Sequence, residues 1–90
     1  MDFFEQLATL CSREMTGALK DKDADRVSCV IEGLATMLGR SIARGTGGDG
    51  AEIEKLLMGC ESHVAAEAAG MAGMMNLQAM MRERRGGSRI

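Results

Sequence analysis

Asp21, Asp23 and Asp25 alternate with other residues, and Glu32 follows eleven places after Asp21. That is the acidic ligand spacing of a calcium-binding helix–loop–helix, whose loop also needs Gly at its sixth place for a sharp turn. Here the sixth place is Arg26 and the eighth is Ser28. Val27, Val30 and Ile31 already belong to a helical stripe, so the aspartates are expected to cap helices around a solvated turn. A second string, Gly45-x-Gly47-x-x-Gly50, has the letters of a dinucleotide fingerprint. That fingerprint works only where a strand feeds the glycine turn, and no strand pattern precedes it. A flexible hinge is the expected role.

Cys60, His63 and Glu67 fall at i, i+3 and i+7, on one helical face. All three are zinc-ligand types, but one set is incomplete, and a lone histidine near a helix interface is more commonly structural. His63 is the only histidine. With Cys11 and Cys29 expected on apolar stripes, no nucleophile–base pair can be assembled. Neither catalysis, a bound metal nor a cofactor is expected.

The remaining candidates concern binding. Residues 1–81 hold seven Lys or Arg against twelve Asp or Glu, whereas Arg82, Arg84, Arg85 and Arg89 face a single acid, Glu83, in the last nine. An acidic body argues against broad nucleic-acid binding, which needs a basic face to neutralise phosphate. It suits a basic protein partner through Glu5, Glu14, Asp21, Asp23 and Asp25. The four tail arginines are the place where direct nucleic-acid contact would occur. Their simpler role is to complement the dipole of the preceding helix and keep its end soluble.

Three helices must position these residues. Phe3, Phe4, Leu7, Leu10, Cys11, Met15, Ala18 and Leu19 recur at helical spacing, giving a first helix over 2–19 with Asp2 at its start. The charged run 20–25 reads as a short connection. Val27, Val30, Ile31, Leu34, Leu38 and Ile42 stripe a second helix over 24–43. Gly33 and Gly39 inside it suggest the close approach of another helix. After the glycine-rich break, Asp49 and Glu52 resemble a capping box and open a third helix over 51–85.

That third helix carries the strongest signal. Its stripe runs Ile53, Leu57, Cys60, Val64, Ala68, Met71, Met75. Ile53, Val64 and Met75 are eleven apart, a period favouring nearly straight packing over a heptad coiled coil. Ala65, Ala69 and Gly73 add a second stripe of small residues, flanked by Ala66 and Gly70. Between Met71 and Met81 only Asn76 and Gln78 interrupt the apolar character. A soluble helix that is apolar all round must be buried on more than one side, and a single chain this short can hardly surround it.

Composition narrows the class. Ninety residues make one domain; a monomer of this size buries only about 60–65% of its unfolded surface and is marginal alone. With no Trp, Tyr or Pro, and Phe3 and Phe4 the only aromatics, the core must be aliphatic and Met-rich. Three widely spaced cysteines cannot all pair within one chain and lack zinc-ribbon spacing; with no secretory leader pattern, a reduced cytoplasmic setting is expected. Val64 to Met81 contains Glu67, Asn76, Gln78 and two glycines, too polar for a membrane span.

The expected fold is all-α: a three-helix antiparallel bundle with a long C-terminal helix, completed by homodimerisation and followed by a flexible tail at 86–90. The interface is expected at Val64, Ala68, Gly70, Met71, Gly73, Met74, Met75, Leu77 and Met81. The expected function is non-catalytic: a small adaptor or inhibitor docking on a larger protein, a nucleic-acid-binding one among the candidates, in the manner of small acidic proteins encoded by phage and mobile elements. That comparison is one of type, with no motif behind it. The alternatives are a dimeric nucleic-acid-binding regulator using the arginine tail and a structural subunit of a larger assembly. Salt-dependent binding to duplex DNA, abolished by deleting 82–90, is the outcome that identifies the regulator; no mobility shift at low salt excludes it.

Overall fold

The computed structural model describes residues 1–87, with side chains described through Arg84. The fold is all-α. Three helices follow in order: α1 (Phe3–Lys20), α2 (Ala24–Gly45) and α3 (Gly50–Gly87), with no strand among the described residues. The chain divides into two units, Met1–Gly48 and Asp49–Ile90. The first holds α1 and α2; the second is α3.

Each helix starts on an aspartate whose carboxylate accepts an otherwise orphaned backbone N–H. Asp2 accepts from the N–H of Glu5 at 2.8 Å, Asp23 from Arg26 at 3.0 Å and Asp49 from Glu52 at 3.0 Å. Asp23 therefore opens α2. Asp25 sits in the first turn of α2, where its charge favours the helix dipole.

The first two helices end in the same way. In each, the residue after the C-cap takes a left-handed conformation, and two N–H groups reach back to the last carbonyls. At the end of α1, Lys22 N–H donates to Leu19 O at 3.1 Å and Asp23 N–H to Ala18 O at 2.9 Å. At the end of α2, Gly47 donates to Arg44 O at 3.3 Å and Gly48 to Ala43 O at 3.0 Å. Glycine adopts the required positive φ freely, and Gly47 has φ +62°. At the first turn the position is filled by Lys22, at φ +53°. A side chain there is disfavoured by about 1 kcal/mol or more.

Packing between α1 and α2 is concentrated beside this turn. Ala18 is completely buried, and Met15, Gly17, Val27 and Val30 are half-buried. Farther along, Leu7, Leu10, Leu34 and Leu38 are exposed. The two helices thus meet at a contact centred on Ala18 and leave these four leucines exposed, while Ile42 near the end of α2 is buried.

Within the first unit, a Cβ built on Gly33 or Gly39 of α2 would meet nothing within 4 Å, so α1 does not approach closely there. The tight glycine is Gly17 in α1. Helix α3 also runs two residues past the expected Arg85, through Gly87. Of the expected tail at 86–90, residues 88–90 lie outside the described residues.

Replacing Lys22 with Gly removes the left-handed strain and should raise stability to urea unfolding by about 0.5–1 kcal/mol. Gly47→Ala should lower it by about 1 kcal/mol for the same reason. The opposite signs at two equivalent positions are the check.

Candidate interaction surfaces

In the first unit, the turn is locked by one guanidinium. Arg26 Nη2 lies 3.2 Å from Glu14 Oε2 on α1, and Nη1 lies 3.3 Å from Asp21 Oδ2 in the turn. The backbone N–H of the same residue is capped by Asp23. Gly17 makes the reach possible: a Cβ there would sit 2.8 Å from Arg26 Nη2 and 3.3 Å from Cζ. The cation that meets the Asp21 carboxylate, at the head of the calcium-loop spacing, is thus the chain's own arginine. Arg13 also stands 3.9 Å from Glu14.

This clamp redistributes the acidic face. Glu14 and Asp21 are paired with Arg26, and Asp23 is spent on a cap. Glu5 and Asp25 are exposed, and neither takes part in an ion pair among the described residues. The five acids therefore do not form one uniform patch. In the sequence Arg26 stood out only as the residue breaking the calcium-loop pattern, and Gly17 did not stand out at all. The available signal was a glycine three residues after Glu14, on the same face of an otherwise sound helix.

Above the clamp lies an apolar groove of about 380 Å³ between α1 and α2. Leu7, Leu10, Cys11 and Glu14 line it from α1, and Val30, Leu34 and Met37 from α2. Cys29 and Gly33 also border it. Both cysteines are free thiols: Cys11 is half-buried beside Leu7 and Leu10, and Cys29 is exposed, so neither is fully buried in a core. Phe3 and Phe4, the only aromatic residues of the chain, are 78% and 74% exposed.

The second unit presents a different surface. Along α3 no described side chain is buried, and only Ile53 and Cys60 are half-buried. Val64, Met71, Met74, Met75, Leu77 and Met81 are 50–61% exposed. Ala68 is exposed as well, and a Cβ added at Gly70 or Gly73 would meet nothing within 4 Å. The nine expected interface residues therefore stand on one bare helix. His63 Nε2 lies 4.0 Å from Glu67 Oε1, both side chains 76% exposed. Among the described residues, no three His, Cys, Asp or Glu side chains gather as metal ligands, and no helix is long and apolar enough to cross a membrane.

Arg82 and Arg84 are exposed at the C-terminal end of α3. The Arg85 side chain and Arg89 lie outside the described residues.

A substitution at Gly17 tests the clamp because two effects of similar size oppose each other. Alanine should favour α1 by about 1 kcal/mol. Displacing the Arg26 side chain should forfeit no more than about 1 kcal/mol, since its ion pairs are largely solvated. Gly17→Ala should therefore change stability by less than about 1 kcal/mol in either direction. The Glu14–Arg26 coupling in a double-mutant cycle should fall towards zero in the same background.

No family model, curated protein or solved structure is significantly similar to the chain, so its function is read from these surfaces.

Proposed function

We propose that this protein is a non-catalytic, self-associating interaction module: an adaptor or inhibitor that dimerises and docks on a larger protein. The observation that carries the reading is that the second unit consists of a single helix with its apolar side chains exposed. One helix has no second layer of its own against which to bury an apolar stripe. Helix α3 has 38 residues and is about 57 Å long, and its Met71–Met81 segment is apolar on nearly every side. Contiguous exposed apolar surface of this kind marks an association site.

In the proposed assembly a second copy supplies the missing layer, and a helical bundle built from both chains encloses the methionines. Methionine suits such an interface because its unbranched side chain adapts to irregular gaps. The groove between α1 and α2, with Phe3 and Phe4 exposed on the same unit, is then the surface for the larger protein. Glu5 and Asp25 provide negative charge on that unit, in keeping with a basic, nucleic-acid-binding partner. Catalysis has no part in this reading.

Sedimentation equilibrium should give a dimer at micromolar concentration. Met75→Lys, which places a charge in the proposed core, should weaken dimerisation at least 100-fold while leaving helix content within the hairpin unit intact. A wild-type monomer at tens of micromolar, or a Met75→Lys dimer as tight as wild type, would falsify the proposal.

A further inference from the structure

We infer that two copies of α3 pair antiparallel, with the two-fold axis passing between Met71 and Ala72. This inference rests on the dimer proposed above and specifies its orientation and register. Two independent features of the exposed helix lead to it.

The first is size. Residues 64–70 read Val-Ala-Ala-Glu-Ala-Ala-Gly, and 71–81 read Met-Ala-Gly-Met-Met-Asn-Leu-Gln-Ala-Met-Met. A block of small side chains thus adjoins a block of large ones on the same helix. Parallel pairing would set small against small, leaving voids, and large against large, holding the helices apart. Antiparallel pairing about the junction sets each block largely against the other, with Gly70 meeting Gly73 beside the axis. Met75 then faces Ala68 of the second copy, Met74 faces Ala69, and Met71 faces Ala72. The stripe formed by Val64, Ala68, Met71 and Met75 extends through Ala79, and this operation exchanges Val64 with Ala79 and Ala68 with Met75, while Met71 at the axis meets Ala72, one position off the stripe. Val64 meets Ala79 at either end. A two-fold interface must be self-complementary in this way.

The second feature is charge. From Asp49 to Glu67 the chain has five acids and one Lys, and no charge follows until Arg82. Glu61 and Glu67 are exposed at one end of the apolar segment, and Arg82 and Arg84 at the other. Parallel copies would place acid beside acid and arginine beside arginine. With the axis between Met71 and Ala72, Arg82 of each copy faces Glu61 of the other, so the pair is made twice. Charges flanking an apolar seam commonly select orientation in this way. The axis that matches large to small side chains also matches the opposite charges.

Spin labels distinguish the orientations. In a chain with Cys11, Cys29 and Cys60 changed to Ser, single cysteines are introduced as Lys55→Cys or Ser62→Cys and labelled. Sedimentation and helix content confirm that each variant still dimerises and folds. From the helical rise, the antiparallel register predicts separations of about 50 Å for label 55 and about 30 Å for label 62. Distances of about 10–15 Å at both sites would mean parallel pairing and overturn the inference. So would a dimer showing neither pattern. A monomer in the wild-type chain would instead remove the dimer reading beneath it.

Charge exchange supplies a second measurement that needs no cysteine. Arg82→Glu and Glu61→Arg should each weaken dimerisation about 5- to 30-fold, since each disrupts two cross-pairs. The double exchange in one chain should restore affinity to within about threefold of wild type. Failure of the double variant to recover, with both single variants weakened, would overturn the register.

Discussion

A helix can satisfy its own backbone hydrogen bonds but cannot bury its own side chains, and this constraint governs the second unit. Helix α3 comprises nearly all of Asp49–Ile90. Its methionines, Val64 and Leu77 remain largely exposed. In proteins, helical stability comes mainly from packing an apolar face, and intrinsic propensity adds little. The several glycines of α3 make that dependence stronger. Gly70 and Gly73 weaken an isolated helix, yet they leave room for another backbone. A sequence with those features is suited to a helix that has a neighbour.

The first unit resolves a different constraint within a few residues. The connection between α1 and α2 is so short that Asp23 serves both helices. Its N–H closes the end of α1, and its carboxylate opens α2. This sharing leaves Lys22 in the left-handed position, where glycine would be easier. Arg26 then ties Asp21 and Glu14 across the same turn. The individual ion pairs are solvated and worth little. Their role is geometric: they act where Ala18 is buried and the two helices meet. Beyond that point the helices leave an apolar groove instead of a closed core. Charges that would otherwise compose an acidic docking face are partly absorbed into the turn.

Much of the secondary structure was legible beforehand because its causes are local. The apolar stripes of α1 and α2 repeat over several turns, and aspartates stand immediately before all three helices. Caps and periodicity depend on residues within about four positions of one another, so one linear reading contains their physics. The glycine-rich break was equally plain, and Gly47 and Gly48 do adopt positive φ. The first turn was harder to specify, because Lys at a left-handed position violates the usual preference. Gly33 and Gly39 were ambiguous for a related reason: a helical glycine permits close approach but does not say which neighbour uses it, and α1 does not.

By itself, then, the sequence determined an all-α chain, the approximate limits of its three helices, the capping aspartates and the apolar character of α3. Each follows from short-range propensity, periodicity and composition. Only the tertiary structure decided that Gly17, and not Gly33, is the crowded glycine. It also decided that Arg26 consumes Glu14 and Asp21, and that Leu10 and Leu34 border an open groove. Those outcomes depend on how one helix is rotated and tilted against another. A shift of one residue in that docking would send the Arg26 side chain elsewhere, while the periodic pattern of either helix would be unchanged.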